Sequence, residues 1–589
     1  MILLKKFSLT TLLLLFFTFS FLFKTDHSFD QDLGRHIKLG EIIWNTKSIP
    51  KTNLFSYTNP DFPFINTHWL FEVIAYFGQT IGLQAFLALK IIIILTSVWL
   101  TLKIIPKENR VLLLPIGFIF LHVLRERAEL RPEIFSFLFT ALTLYILTSF
   151  LPASQKLQRG ERKQESILYR SRIKYGMTLL FLLPPIQLIW INTHIYFFAG
   201  LTLQAIFLLA LIRQNFRSHM DVGKVKTLAL VLGLSVAASL INPNGTAGVL
   251  YPLNVTKNYG YTIVENQTMF FLESINFRDP NFLFVRMAIL IIVLSLIVGF
   301  IRKKLTILSI MLSCLGLALA LLNVRSFPYL VFLSLPAVLA NFGQISHDRS
   351  IFVRIISPVL LLATILLLFE SIFYLNGNYY RYKDEDNQPV LAFIEGGRKA
   401  MDFVIKNNLE GPIFNNFDIG SYISYRSYPK LKVFVDGRPE AFPKEFFANT
   451  YIPVQYDYNK FKQLEEKLGI QTVIFSHTDQ TPWGTNFLQQ IVKDTDWKLV
   501  FIDDFVTVFI KETVAVEKNL NPINLAALSA GNYQFASHAS YLRLGYFLLK
   551  TQNTASGAMF LQKALQIFPD SPISNSLMSS LTGQSQIFW

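Results

Sequence analysis

Long apolar runs, separated by short basic clusters, constrain the fold of this chain more than any other feature. The chain has 589 residues and a mean hydropathy of +0.39, and 16% of its residues are charged, against roughly 25% in a typical soluble domain. A bilayer offers no water to backbone polar groups, so apolar runs of about 20 residues predict membrane-spanning helices. The pattern excludes an ordinary soluble enzyme and predicts a polytopic α-helical membrane protein.

The apolar runs predict eleven spans. The first run follows Lys5 and Lys6, and no small-residue cleavage site comes after it, so we interpret it as a retained span rather than a signal peptide. Several runs are shorter than the roughly 20 residues of a straight span, which leaves room for one or two broken or re-entrant spans. The runs lie at residues 7–23, 83–102, 111–124, 132–151, 177–191, 195–212, 227–241, 282–301, 305–322, 327–342 and 355–375.

The basic residues orient these spans. With the N-terminus in the cytoplasm, the cytoplasmic segments hold 21 Lys and Arg against 5 Asp and Glu, as the positive-inside rule requires. The strongest cluster runs from Lys156 to Lys174 and holds seven basic residues; it is typical of a topology signal that faces anionic lipid. The formal charge of +15 is therefore an orientation signal, and no nucleic-acid partner is predicted.

An odd number of spans puts the C-terminal part of a plasma (inner) membrane protein on the extracytoplasmic side. Beyond a membrane domain at 1–375, residues 376–589 hold 20 basic and 21 acidic residues. Short β-rich runs alternate there with helical patterns, which predicts a small α/β domain at 376–515. The predicted strands are 412–414, 432–435, 472–475, 499–502 and 506–510, and the predicted helices are 397–407, 460–468 and 485–492.

The last segment, 516–589, has a helical pattern. Residues 541–570 resemble one tetratricopeptide unit. A single unit cannot stack into a solenoid, so its neighbour is expected to be residues 521–539, the α/β domain or a protein partner that binds this tail.

Chemistry is concentrated in the first external loop, residues 24–67. Asp30 and Asp32 come just after the first span and are followed by Arg35 and His36. Two carboxylates at a membrane surface suit a general base or the oxygen ligands of a hard cation. The competing interpretation needs no chemistry, because Ser28 would cap a helix whose dipole favours acidic residues in the first turn.

Arginines predicted near the same surface suit a lipid phosphate, because the guanidinium is planar and always charged. They are Arg35, Arg127, Arg131 and Arg325. Arg325 lies in a very short turn between two apolar runs, where a cation is costly unless it is paired. Interfacial snorkelling, or pairing with an external carboxylate, is the alternative explanation for Arg325.

Two further groups of ionisable residues lie near the predicted ends of a helix and a strand. His68 and Glu72 are four residues apart and share a helix face; they would either complete a site with the aspartates or form a pair that orients the helix. Asp436, Arg438 and Glu440 follow a predicted strand, where open α/β sheets place ligand sites. The alternative for this segment is a strand-ending turn with solvated charges.

Several motifs together resemble bacterial members of the GT-C superfamily of glycosyltransferases, whose relatives include oligosaccharyltransferase catalytic subunits and protein O-mannosyltransferases. The resemblance covers most of residues 1–515 and leaves out the tail. The motifs, in chain order, are FDQDLGRHIKLGEII, SIPKTNLFSYT, THWLFEVI, RAELRPEIFSF, QLIWINTHIYFFAG, SLINPNG, VENQ and GPIFNNFDIGSYISYRSYPKLKVFVDGRPEAF.

This resemblance implies transfer of a sugar from a polyprenyl-phosphate carrier to an acceptor on the extracytoplasmic face. It implies that the catalytic role in the first external loop falls on Asp30 or Asp32, and we prefer Asp32 as the base with Asp30 as a supporting ligand. Metal use varies in the family, so Mg²⁺ or Mn²⁺ held by these two aspartates is left open. The chain lacks a WWDYG-type signature, which argues against transfer of a whole oligosaccharide to asparagine. The substrate-binding set would comprise Arg35, His36, His68, Glu72, Arg131 and Arg325.

Two other functional classes remain open. A transporter or flippase of lipid-linked saccharides would carry ionisable residues within its spans, and Lys90, Arg286 and Glu370 are the residues that such a function would use. A non-catalytic membrane assembly factor would retain the fold, and Asp30 and Asp32 would be dispensable in it.

Overall fold

Within the residues that the structure describes, each of the eleven predicted apolar runs is mainly helical. The computed structural model of this protein describes residues 8–106, 110–150, 177–218, 222–254, 259–343, 356–581 and 583. In this part of the chain seven helices are long and apolar enough to cross a membrane, and four shorter apolar helices accompany them. The chain is thus a polytopic α-helical membrane protein. Eleven as the number of spans stays a prediction.

The helices of the membrane part are joined by short connections and by two long loops. In chain order they are α1 (Leu9–Leu22), α2 (Gly34–Thr46), α3 (Trp69–Ile81), α4 (Leu83–Ile104), α5 (Leu113–Arg125), α6 (Glu133–Phe150), α7 (Leu183–Thr193), α8 (Phe198–Ser218), α9 (Val222–Ser239), α10 (Gly245–Asn254), α11 (Met269–Ser274), α12 (Asn281–Ile301), α13 (Ile307–Leu322), α14 (Leu335–Phe342) and α15 (Ser357–Leu375). Single helical turns of 3₁₀ or π type lie at Phe29–Leu33, Ile195–Phe197, Val264–Asn266, Val324–Ser326 and Leu330–Ser334.

Helix α1 lies inside the bundle. Leu14, Phe17 and Phe21 are fully buried, and α1 packs against α4, α5 and α15. Helices α12 and α15 expose large aliphatic side chains, such as Leu290 and Leu361, as lipid-facing helices do. Because α1 is central, the loop that follows it begins at the centre of the bundle end that faces the α/β domain.

The α/β domain has one four-stranded sheet. Its strands are β1 (Ile413–Asn415), β2 (Thr472–Ser476), β3 (Trp497–Ile502) and β4 (Val506–Lys511). Their order is β1-β2-β4-β3, with β1 parallel to β2 and the other pairs antiparallel. Its helices are α16 (Asn378–Tyr382), α17 (Arg398–Lys406), α18 (Phe417–Ser427), α19 (Lys444–Phe446), α20 (Ile452–Tyr456), α21 (Tyr458–Leu468), α22 (Pro482–Ile491) and α23 (Glu512–Glu517), with single turns at Pro439–Ala441 and Phe447–Tyr451.

Four of the five predicted strands are present, and the strand predicted at 432–435 is not. Val433 instead exchanges backbone hydrogen bonds with the first external loop: its N–H donates to Phe55 O at 2.9 Å, and its C=O accepts the N–H of Tyr57 at 3.2 Å. The apolar pattern of this segment is therefore explained by burial against the loop, which satisfies its backbone without a place in the sheet.

The segment DGRPE (residues 436–440), which follows this contact, does not carry solvated charges. Asp436 and Arg438 are fully buried, and two guanidinium nitrogens of Arg438 donate to Asp436 at 2.6 and 2.9 Å. Arg438 also donates to Asn53 of the first external loop at 2.7 Å and lies over the rings of Phe55 and Phe64. The interpretation as a solvated turn is wrong, because the ion pair is buried. Arg438, held by this pair, connects the first external loop to the domain through Asn53.

The tail forms helices α24 (His538–Lys550), α25 (Thr554–Ile567) and α26 (Pro572–Leu581), after 3₁₀ turns at Leu525–Ala527 and Ala530–Asn532. Arg543 donates to Asp386 at 2.6 Å, and His538 lies 3.1 Å from Asp384. Of the three neighbours expected for the tail, the α/β domain is therefore one that it contacts. A tetratricopeptide identity and a protein partner stay predictions.

The basic cluster from Lys156 to Lys174 lies outside the described residues, as does the predicted cytoplasmic segment 1–6. The orientation of the termini therefore rests on the charge pattern.

Replacing Arg438 by methionine would leave Asp436 as a buried carboxylate without its cation. Breaking a buried ion pair in this way costs about 3–5 kcal/mol, so we expect a clear fall in the thermal unfolding midpoint of the purified protein in detergent. The matched control combines Asp436→Leu with Arg438→Met, removes both charges and should recover most of the loss. Equal instability of the two variants would mean that the aromatic contacts of Arg438, and not its charge, hold the loop.

Candidate functional site

The two aspartates of the first external loop lie in the π-helical turn Phe29–Leu33, which continues directly into α2. Ser28 does not cap this turn, because its hydroxyl donates to Asp26 at 2.5 Å and its backbone is helical. The predicted Ser28 cap is therefore wrong, whereas both aspartates do lie in the first turn of this helical segment. Their roles must be sought in the contacts that each carboxylate makes.

Asp30 connects the first external loop to the α/β domain. Its carboxylate accepts the backbone N–H groups of Gly396 at 2.6 Å and Gly397 at 3.4 Å. Burial raises the pKa of the Asp30 carboxyl to about 7, although these two donors oppose the rise. Asp30 is thus held by the domain backbone.

Asp32 has other partners and is 26% exposed. Its carboxylate lies 3.1 Å from Arg35 Nη2 and 3.8 Å from Arg131 Nη1. The DGRPE segment lies directly against it, since a Cβ built on Gly437 would be 3.7 Å from Asp32 Oδ1. Asp32 therefore lies where the helix bundle, the first external loop and the α/β domain meet.

Three arginines on two chain segments share one carboxylate. Glu265 lies 2.6 Å from both Arg127 and Arg131 and 2.8 Å from Arg325, and Glu133 lies 2.9 Å from both Arg127 and Arg325. Burial opposes ionisation of Glu265, but the three guanidiniums outweigh it and hold the pKa of this carboxyl well below its usual value. We refer to Arg35, Arg127, Arg131 and Arg325 as the arginine cluster.

Glu133 and Glu265 are the site residues that the sequence interpretation missed. Of the two alternatives for Arg325, pairing with a carboxylate is the one observed. The sequence contains a signal for these two residues, because arginines at a membrane surface need counter-charges. Glu133 and Glu265 lie within the motifs RAELRPEIFSF and VENQ.

His36 and Glu72 form a buried pair beside the cluster. His36 Nδ1 lies 3.2 Å from a Glu72 carboxylate oxygen, and Asn66 donates to the other oxygen at 2.6 Å. Burial raises the pKa of Glu72 to about 7, whereas burial and Arg35 hold the pKa of His36 well below its usual value. His36 is therefore a neutral imidazole at pH 7, and it lies 3.4 Å from Arg35 Nη2.

The expected pairing of His68 with Glu72 is replaced by this His36 contact. His68 precedes α3, and its backbone N–H donates to Asn66 at 3.0 Å. Its ring packs against the rings of His36 and His194. Burial, together with Arg35 and Arg325, lowers the pKa of His68 to about 3, so His68 is also neutral.

The predicted site residues are therefore only partly assembled. Asp32, Arg35 and His36 form a chain of contacts that ends at Glu72. Arg131 joins this chain at Asp32, and Glu265 links Arg131 to Arg325. Asp30 and His68 lie at the edge of this set of contacts.

A metal site on both aspartates gains no geometric support, because the two carboxylates have different partners. In the part of the chain that the structure describes, no three His, Cys, Asp or Glu side chains converge to hold an ion. Mg²⁺ or Mn²⁺ at Asp32 would need most of its oxygen ligands from a substrate, and it stays a prediction.

The α/β domain adds Glu440 to the same region. Among the described residues, its carboxylate makes no side-chain hydrogen bond to another residue and no ion pair within 4 Å. Burial raises the pKa of Glu440, with Arg35 and Arg438 opposing. Burial raises the pKa of Tyr259 as well, and Glu440 adds to that rise. Glu440 thus lies within electrostatic range of both Arg35 and Tyr259.

An apolar groove of about 520 Å³ begins next to His68. Trp69, Leu188, Ile241 and Pro243 contribute to its lining, and Trp69 Nε1 donates to Asn192 at 2.7 Å. The groove runs between the start of α3 and the ends of α7 and α9, so apolar surface lies beside the polar site.

The chain is similar to two solved structures. One is the crystal structure of ArnT from Cupriavidus metallidurans bound to undecaprenyl phosphate, at 10% identity and a TM-score of 0.44, covering 85% of this chain and 96% of that one. The other is the archaeal oligosaccharyltransferase AglB from Archaeoglobus fulgidus in complex with an inhibitory peptide and a dolichol-phosphate, at 11% identity and a TM-score of 0.42, covering 92% of this chain and 82% of that one.

No protein-family model and no curated protein matches the sequence. At these identities and scores, the bound lipids and substrates describe those two proteins and not this chain.

The buried carboxyl of Glu72 is expected to make stability fall as pH rises. Its folded pKa, about 7, lies above the ordinary 4.5, so its contribution is complete below pH 4.5 and is lost as pH rises through 7. The wild type should therefore lose stability relative to Glu72→Gln between about pH 5 and about pH 8. Thermal midpoints of the two proteins across this range test this, and a constant difference would show that Glu72 is ionised throughout.

Proposed function

We propose that this protein is a membrane glycosyltransferase of the GT-C type, which moves a sugar from a polyprenyl-phosphate-linked donor to an acceptor on the extracytoplasmic face. The observation that carries the proposal is the position of Asp32. This partly exposed carboxylate lies within 4 Å of Arg35 and Arg131, at the end of an apolar helix bundle and against a polar domain. A proton acceptor and fixed cations are thus placed at the level where a lipid phosphate would lie.

The proposed reaction is an inverting displacement at the anomeric carbon of the donor sugar. The acceptor hydroxyl oxygen attacks this carbon while Asp32 takes the hydroxyl proton. The bond from the carbon to the phosphate oxygen breaks, and the polyprenyl phosphate leaves with the electron pair. Arg35 and Arg131 stabilise the negative charge that develops on this phosphate.

Within the described part of the chain, the arginine cluster has unpaired N–H donors that suit such a phosphate. The Nε atoms of Arg35, Arg127 and Arg131 are buried and make no hydrogen bond among the described residues. Buried donors are normally satisfied, so these three support a region that binds an anion. Glu133 and Glu265 hold the guanidiniums in place, which lowers the cost of ordering them around a substrate.

The apolar groove beside His68 supports a lipid-linked donor. Its lining of Trp69, Leu188, Ile241 and Pro243 suits the first isoprene units of a polyprenyl chain, whose phosphate would then lie towards the polar site. We assign the acceptor to the side of the α/β domain, where Glu440 lies within electrostatic range of Arg35. Among the described residues this carboxylate has no ion-pair partner within 4 Å, which suits hydroxyl donors of a sugar acceptor.

The alternative function as a transporter or flippase has less support from the contacts of the described residues. The ionisable residues that a transporter would use are each paired: Lys90 with Asp26 at 3.0 Å, Arg286 with Glu273 at 2.5 Å, and Glu370 with His122 at 2.9 Å. Such pairs explain these residues as structural contacts, and none of them lies free in a span. The assembly-factor alternative differs from the proposal in its claim that Asp32 is dispensable.

The decisive test is transfer in proteoliposomes that contain a panel of radiolabelled polyprenyl-phosphate sugars and an envelope lipid extract as the acceptor source. Asp32→Asn should lower transfer by about 100-fold or more, as expected for loss of a general base. The matched control is Asp402→Asn, because Asp402 pairs with Arg426 on the domain surface and should leave transfer unchanged.

Full transfer by Asp32→Asn would remove Asp32 from the reaction. Movement of labelled lipid across the bilayer without consumption of the donor would identify a transporter instead. If Asp30→Asn loses stability but keeps more activity than Asp32→Asn, the contacts of Asp30 with the domain backbone are its main role.

Glu440 provides a separate test of the acceptor side. Glu440→Gln should lower transfer to the acceptor extract by about tenfold, the effect of losing one charged hydrogen bond. It should leave hydrolysis of the donor by water unchanged. Asp32→Asn should lower both rates, because water also needs a base. Equal losses of transfer and hydrolysis in Glu440→Gln would place Glu440 at the reacting centre.

A further inference from the structure

Helix α11 presents an apolar face that no part of the described chain covers. Phe270, Phe271, Ile275 and Phe277, in the helix and just after it, are 55%, 42%, 58% and 40% exposed. The other side of α11 packs into the core of the helix bundle through buried side chains, which are those of Met269 and Leu272. We call the four exposed side chains the α11 face.

An ion pair shows the depth of α11 relative to the neighbouring span. Glu273 of α11 lies 2.5 Å from Arg286, which is the sixth residue of α12 and stands about 7–8 Å along the helix from its first residue. Helix α11 therefore lies within side-chain reach of the first turns of α12. At this level α12 exposes Leu283, Met287 and Leu290, as the lipid-facing side of a span does.

We propose that the α11 face inserts into the acyl region of the bilayer leaflet on the side of the α/β domain. The ion pair of Glu273 with Arg286 holds the α11 face near the part of α12 that exposes Leu283, Met287 and Leu290, which makes lipid the occupant. Aromatic and aliphatic side chains on one side of a short helix are typical of segments that lie in the membrane interface. The charges of Glu273 and Arg286 neutralise each other at this depth, which lowers the cost of placing them there.

This membrane contact bears on the candidate site through Glu265. Three connections join α11 to that carboxylate: the turn Val264–Asn266, a hydrogen bond of 3.0 Å from Val324 N–H to Gln267 O, and the cap of α11 by the hydroxyl of Thr268. A shift of α11 relative to the bilayer would therefore shift Glu265 among the arginines that it holds. Insertion of the α11 face thus positions Glu265, and this second step rests on the proposed function.

The depth of α11 is measurable by spin-label accessibility in proteoliposomes of the purified chain. Cys314, the single cysteine, is first replaced by serine, and a nitroxide is attached to Phe271→Cys. Leu290→Cys on α12 serves as the lipid reference, and Glu517→Cys on the exposed domain surface serves as the aqueous one. We expect the label at 271 to match the lipid reference, with strong relaxation by oxygen and weak relaxation by a water-soluble nickel chelate.

Relaxation at 271 like that of the aqueous reference would overturn the proposal, because the face would then await a protein partner. Protection from both reagents, with dipolar broadening between labels, would also overturn it and would indicate a second copy of the chain.

The positioning role needs a variant that removes apolar area from α11 alone. Phe270→Ser combined with Phe271→Ser should lower transfer by about tenfold, since small misplacement of charged groups has effects of this size. The matched control is Leu283→Ser combined with Leu290→Ser, which removes apolar surface from α12 and should retain transfer. Unchanged transfer in the α11 variant would refute positioning of Glu265, while the accessibility result would still decide membrane insertion by itself, whatever reaction the protein catalyses.

Discussion

The contact of one carboxylate with three guanidiniums is the interaction on which the candidate site depends. Glu265 contacts Arg127 and Arg131, which lie between α5 and α6. It also contacts Arg325, which lies in the turn Val324–Ser326 after α13. Burying charges is costly, and the cost is offset only when every charge has partners in good geometry. Glu133 supplies the additional contacts. Without these two carboxylates, Arg127, Arg131 and Arg325 would repel one another at the end of an apolar bundle.

The first external loop depends on a second set of contacts. Asp30 accepts two backbone N–H groups of the domain, Val433 exchanges backbone hydrogen bonds with the loop, and Arg438 binds Asn53. Asp32 lies between these contacts, and part of its carboxylate remains exposed. The loop is therefore both the connection between the two halves of the molecule and the place where the proposed chemistry occurs, so rigidity and reactivity arise from the same contacts.

Local patterns predicted the helices well because an apolar run in a membrane protein has few alternatives. Backbone groups must be satisfied within the run, which leaves the helix. The prediction failed where a distant segment satisfied the backbone instead. The segment at 432–435 looks like a strand because it is apolar and buried, yet its hydrogen bonds go to Phe55 and Tyr57, almost 380 residues away. The Ser28 cap failed for a local reason, since its hydroxyl binds Asp26, two residues earlier in the chain.

The sequence by itself determined that this chain is a polytopic helical membrane protein, that its predicted orientation follows the basic clusters, and that Asp32, Arg35, Arg131 and Arg325 belong near one surface. These properties depend on composition and short-range order. Only the tertiary structure decided which charges pair, that Asp30 and Asp32 have separate partners, and that Glu133, Glu265 and Glu440 lie near the candidate site. Ion pairs form between segments more than a hundred residues apart, and no local pattern records which of several carboxylates a buried arginine will meet.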